Sequence, residues 1–221
     1  MEQLTINTNE IRIRKNNDIN LFSIDRDKIS CIHKSEYCLK HCYNNKMYKV
    51  FKLMNTADIK NEYYWHNGNI ASDIKKYFKR RKIKKIRFMS RGEAFKIASD
   101  IYKVKNILEN NKDIVFHIPT RAWRDKDLYI LITNELHNKF NNVRIFASID
   151  PSNTIEELKI ASKFCTGTMF FGNNEKHPLQ DNCKISRCPK TWNKTKTVTC
   201  KNCNFCYNPK KQNLHIWLKK H

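Results

Sequence analysis

Long hydrophobic runs are missing from this sequence. The longest apolar stretches, such as Leu128 to Ile132, fall far short of the roughly 20 residues needed to cross a bilayer. The first twenty residues, Met1 to Asn20, scatter Glu, Arg, Lys and Asn among isolated apolar positions, so no signal-peptide core is present there. The expectation is a soluble cytoplasmic protein with no membrane partner. Negative charge is also scarce: 21 Asp and Glu face 43 Lys and Arg, a formal net charge of +22. Such a chain attracts polyanions through counterion release, which makes nucleic acid a candidate partner for the basic surface. Lysine far outnumbers arginine, and Asn and Ile are abundant, a composition that an AT-rich coding sequence also produces. Charge therefore bears on association and not on fold. The densest basic stretch, Lys75 to Lys85, would on a helix surround Ile74, Tyr77, Phe78 and Ile83, so a solvated helix face accounts for it.

Cysteine is absent from the middle of the chain, the 122 residues from Tyr43 to Phe164. Nine cysteines fall outside it: Cys31, Cys38 and Cys42 on one side, and Cys165, Cys183, Cys188, Cys200, Cys203 and Cys206 on the other. With no export signal in view, a reducing compartment disfavours structural disulfides, and clustered thiols there hold metal or do redox chemistry. A length of 221 residues with 40% hydrophobic content suffices for one core with a small appendage. The division expected is a βα core over 1–175 carrying the first cysteine group, followed by a cysteine-rich metal-binding segment over 176–221.

Between the cysteine groups, short β-rich runs alternate with longer amphipathic ones, the pattern of an α/β fold with a parallel sheet of βα units. Strands are expected at Lys85 to Met89, Asp113 to Ile118, Val143 to Ser148 and Thr168 to Phe171. Helices are expected over Gly92 to Glu109, around Lys126 to Phe140, and after Pro151, where Ser152 to Thr154 offer an N-cap. Spacing of about thirty residues between strands suits consecutive crossovers in a barrel, part of a barrel or an open doubly wound sheet. Polar residues follow each strand: Ser90, Arg91 and Glu93; Thr120 and Arg121; Ser148 and Asp150; Asn173 and Asn174. At the carboxyl ends of parallel strands these would share one mouth.

Cys31, Cys38 and Cys42 form C-x6-C-x3-C, followed by Tyr43. One helical turn from Cys38 to Cys42 would put both sulfurs on one face, with the preceding loop folding Cys31 back. Three thiolates on a four-iron cluster leave one iron open, whereas His33 or His41 as fourth ligand would close a zinc site. Near the other end, Cys200, Cys203 and Cys206 form C-x2-C-x2-C, and Cys188 completes a four-thiolate set for a second cluster or, alternatively, zinc. Cys183 is a spare ligand candidate and Cys165 reads as a packed core thiol. Lys190 to Thr199 reads as a surface loop, and Leu214 to His221 as a terminal edge strand with His215 and His221 facing solvent.

A strand, a three-cysteine loop, and a second strand ending in Gly92 and Glu93 resemble the radical-SAM superfamily, as does FASIDPSN, Phe146 to Asn153, with its Ser-x-Asp strand end. In that superfamily CxxxCxxC holds a [4Fe-4S] cluster and a Gly-Gly-Glu segment contacts S-adenosylmethionine. Here the cysteine spacing differs and Arg91 replaces the first Gly. A closer resemblance, over most of residues 22 to 221, is to the phage gene product eighty-eight-like proteins. It is carried by Cys31, Cys38, Cys42 and Tyr43; by Ser90, Gly92 and Glu93; by Thr120; and by Cys200, Cys203 and Cys206. These resemblances imply a partial (βα) barrel, one or two [4Fe-4S] clusters, S-adenosylmethionine near Ser90, Gly92, Glu93, Thr120, Ser148 and Asp150, an electron donor as partner, and a host-cytoplasmic location. The substrate is not implied. The reading from a different class is a zinc-stabilised nucleic-acid-binding protein without catalysis.

Overall fold

The computed structural model describes residues 11–16, 21–172, 176–192 and 198–219. Among these, the strands are β1 (Ile13–Asn16), β2 (Leu21–Ile24), β3 (Lys85–Phe88), β4 (Val115–Thr120), β5 (Val143–Ile149), β6 (Gly167–Gly172), β7 (Ile185–Arg187) and β8 (Leu214–Lys219). They form one sheet in the order β1-β2-β3-β4-β5-β6-β8-β7. Only the β1–β2 pair is antiparallel. The expected parallel α/β architecture is therefore present. From β1 to β6 neighbours in space are neighbours in sequence, so the reversal that defines a doubly wound sheet does not occur there.

The helices are α1 (Glu36–Lys40), α2 (Tyr43–Val50), α3 (Lys52–Asn67), α4 (Ile70–Arg81), α5 (Ala98–Asn110), α6 (Lys126–Ile132), α7 (Ile155–Ser162) and α8 (Pro189–Trp192). The amphipathic reading of the basic stretch holds: Ile74, Phe78 and Ile83 are buried, while Lys75, Lys76, Lys79, Arg80, Arg81, Lys82 and Lys84 are exposed. Helix α7 begins on a reciprocal cap between Thr154 and Glu157. The α6 helix runs on as a π-helical turn, Thr133–His137.

Two expectations are corrected. Helix α5 starts at Ala98 and not at Gly92, because Gly92 sits at φ +77 and the carboxylate of Asp100 accepts the Lys96 and Ile97 N–H groups, capping the helix there. Phe95 matched the helical period because it is a fully buried loop residue. Strand β8 is not an edge. It lies between β6 and β7, so His215 is 4% exposed, with Nδ1 3.1 Å from Thr168 Oγ1. Asn173, Asn174 and His221 lie outside the described residues.

The sheet has two unlike faces. One packs Ile24, Ile86, Phe88, Phe116, Ile118, Ile145 and Ile149 into the main core with helix residues such as Trp65, Ile74, Ile101 and Leu128. The other carries Phe146, Met169, Leu214 and Ile216, against which Cys188, Phe205 and Cys206 pack. The cysteine-rich segment thus covers the second face and supplies β7 and β8 to the same sheet.

Candidate metal centres and the strand-end site

The loop after β2 carries the first cysteine group, and its own residues fold it. Asp27 caps a single 3-10 turn, Lys28–Ser30, and Ser35 caps α1 by accepting the Cys38 N–H at 3.0 Å. Cys38 therefore lies on α1, but that helix ends at Lys40, and Cys42 is the N-cap of α2. The continuous turn expected from Cys38 to Cys42 is not formed. The three thiols are nevertheless electrostatic neighbours. Burial pushes Cys31 up to about 12, reinforced by Glu93, Cys38 and Cys42. Burial likewise raises Cys38, although the Arg121 cation acts against it. His33 Nε2 is buried in the same loop with no hydrogen-bond partner among the described residues, and the His41 ring lies 4.4 Å from that of Tyr37.

Hydrogen bonds tie this loop to the carboxyl ends of the parallel strands. Glu93, after β3, donates its N–H to Ser30 Oγ at 2.7 Å. Its carboxylate accepts from Thr120 Oγ1 at 2.6 Å, from the Arg121 N–H at 2.9 Å and from the Phe95 N–H at 3.2 Å. Asp150, after β5, accepts from Ser35 Oγ at 2.5 Å and pairs with Arg121 at 2.7 Å. Burial opposes the Asp150 charge, but Arg121 and the Ser152 and Ser35 donors hold its carboxyl below the ordinary range. Ser148 contributes its carbonyl, which accepts the Trp123 Nε1–H at 3.1 Å. Ser90 donates both N–H and Oγ–H to Asp25, and Tyr43 donates to the Ser90 carbonyl. The loop of Cys31, Cys38 and Cys42 and residues Glu93, Thr120, Arg121 and Asp150 are thus one hydrogen-bonded cluster at one end of the sheet.

Four contributors were not identified from sequence: Asp25, Arg26, Ser30 and Ser35. Asp25 accepts from Ser23, Ser90 and Arg91, joining the ends of β2 and β3. The strand-end rule, applied to LFSI followed by DRD, would have found it. Arg91 is drawn away by Asp58 and Asp25, at 2.7 Å each. Gly92 has a backbone reason to be glycine: besides its positive φ, a Cβ there would meet the Arg26 carbonyl oxygen at 2.6 Å. Gly92→Ala is expected to cost about 1–3 kcal/mol. An unchanged urea midpoint would show that this turn is not under constraint.

In the second group, Cys200 is raised to about 11 by burial, with Cys188 and Cys203 adding to the rise. Cys206 is pushed up by burial and by Cys188, Cys200 and Cys203. The four expected thiols therefore lie within electrostatic reach of one another. Cys183 packs against the main core, apart from Cys188 and Cys206, and Cys165 lies half-buried with Sγ 3.8 Å from Thr133 Oγ1. Among the described residues, no three Cys, His, Asp or Glu side chains stand at metal-ligating distance.

Most of the chain matches a known family. The family described as gene product 88 matches residues 3–210. This chain belongs to the gene product 88 family. No curated protein and no solved structure matches it. Among its described residues, no helix of this gene product 88 member is long and apolar enough to cross a membrane.

Proposed function

We propose that the protein binds a [4Fe-4S] cluster through Cys31, Cys38 and Cys42 and is a radical-SAM-like enzyme. The supporting observation is the bonded link from the three-cysteine loop to the ends of β3, β4 and β5 through Ser30, Ser35, Glu93, Thr120, Arg121 and Asp150. The unreversed strand order from β1 to β6 is compatible with a partial barrel, whose functional site lies at that end. The donor types suit the group: three thiols within electrostatic reach of one another would hold a cluster with one open iron. Bound there, the cluster would supply an electron for reductive cleavage of S-adenosylmethionine. The chain's own part is to hold that ligand near Ser90, Gly92, Thr120 and Ser148. The Glu93 carboxylate already accepts three hydrogen bonds, so it braces the site more than it offers a free anion. A second centre, at Cys188, Cys200, Cys203 and Cys206, has no vacancy and suits bracing or electron transfer, with a cluster or zinc as occupant.

Anaerobic reconstitution tests this. Broad visible absorbance, about four irons at the first group, and formation of methionine and 5′-deoxyadenosine from S-adenosylmethionine with dithionite are expected. A colourless protein carrying stoichiometric zinc would refute the proposal. The exposed cations of α4 favour the second reading, a zinc-stabilised nucleic-acid-binding protein. That reading requires steeply salt-dependent binding to DNA or RNA, and no binding at low salt would eliminate it.

A further inference from the structure

The face of the sheet away from the main core carries a row of basic side chains on three adjacent strands. Arg87 on β3 is in register with His117 on β4, and His117 with Arg144 on β5. His117 is 3% exposed and Arg144 1%. Buried polar groups are normally partnered, yet Arg87 Nε, Arg144 Nε and both His117 nitrogens are buried with no hydrogen-bond partner among the described residues. The strand-end carboxylates are already taken, Asp25 and Asp58 by Arg91 and Asp150 by Arg121. Arg144, buried, and Arg87, half-buried, thus pair with no carboxylate among the described residues, and each keeps a buried Nε–H without an acceptor.

What lies opposite them is the cysteine-rich segment. Cys188 and Cys206 pack beside Phe146, which follows Arg144 two residues later on the same strand face. The Tyr207 ring is 5.3 Å from that of His117. Arg144 donates to the carbonyls of Pro209, at 3.4 Å, and Lys211. Lys85, two residues before Arg87, donates to the Lys201 carbonyl at 3.2 Å and to the Asn204 side chain.

We propose that Arg87 and Arg144 are the counter-cations of the centre held by Cys188, Cys200, Cys203 and Cys206, and that their charge governs how tightly it keeps its metal. The inference rests on the second centre proposed above. Four thiolates around zinc, or around a four-iron cluster in its oxidised resting state, leave a complex with two net negative charges. Two arginines match that charge. Burial, with Arg87 and Arg144 nearby, holds His117 well below the ordinary histidine range, so it stays neutral between them. Out of water an unmatched double charge is strongly disfavoured, which gives the arginines leverage over metal retention.

The test uses the full chain carrying Cys38→Ala, so that metal at the second group alone is read. Metal per chain and the rate of its loss to a chelator are measured for Arg87→Gln, Arg87→Lys, Arg144→Gln and Arg144→Lys. Each Gln variant is expected to lose metal about tenfold faster or more, the usual scale for groups surrounding a metal's ligands. Each Lys variant should stay close to the parent, because the charge remains. Arg87→Gln is the cleaner arm, since Arg144 also holds two carbonyls whose loss could loosen the segment. Parent-like release from both Gln variants would overturn the inference. So would equal losses from Lys and Gln, which would mark the arginines as clamps on the chain. If the parent keeps no metal that Cys203→Ala removes, the second centre itself is refuted, and this inference with it.

Discussion

Replacing Cys38 by alanine is expected to remove the cluster at the first group, about four irons per chain, together with any cleavage of S-adenosylmethionine. Cys38 sits on a five-residue helix, on a loop whose other anchors are Ser30, Ser35 and Asp150. The main core does not include it. Its loss should therefore leave far-UV circular dichroism and the urea midpoint nearly unchanged, within about 0.5–1 kcal/mol. Cys203→Ala is expected to act differently. The segment it belongs to covers a sheet face through Phe205, Cys206 and Tyr207, so losing its metal should expose residues 198–213 to protease. The measurements are iron per chain, product formation and limited proteolysis on the two variants side by side. If either substitution emptied both groups, the two-centre reading would fall.

The largest stability effect is expected at Arg26, a residue with no role in binding metal. Arg26 is fully buried two residues after the end of β2, with Nε and Nη2 on the Glu62 carboxylate at 2.7 and 2.8 Å and Nη1 on Asp100 at 3.2 Å. Its guanidinium lies 4.7 Å from the Trp65 ring centroid, and Trp65 Nε1 donates to Asp100 at 2.5 Å. Asp100 in turn caps α5. Arg26→Met would keep the volume but strand a buried Asp100 and a half-buried Glu62. Breaking one side of such a pair costs about 3–5 kcal/mol, a large share of a domain's stability. Arg26→Lys should recover little, since one ammonium cannot span both carboxylates as the planar fork does. Urea denaturation followed by tryptophan fluorescence reads this directly. A loss below about 1 kcal/mol would show that water or a rearranged side chain satisfies the acids.

Chain order alone carried the alternation of β4, α6, β5, α7 and β6, because strand and helix periods are local properties of a few turns of chain. The two cysteine groups were legible for the same reason: cysteine spacing within C-x6-C-x3-C and C-x2-C-x2-C is a property of short segments. The strand-end rule placed Glu93, Thr120 and Asp150 at one end of a parallel sheet, where they meet. Folding in three dimensions decided the rest. Ser35 reaches Asp150 across 115 residues, and Arg26 reaches Asp100 across 74. His215 is buried because β7, which precedes it in sequence, lies outside β8 in the sheet. Arg87, His117 and Arg144 become one row only through the register of β3, β4 and β5. Pairing register is set by long-range packing, which a periodic pattern of apolar residues reports for each strand singly but never between strands.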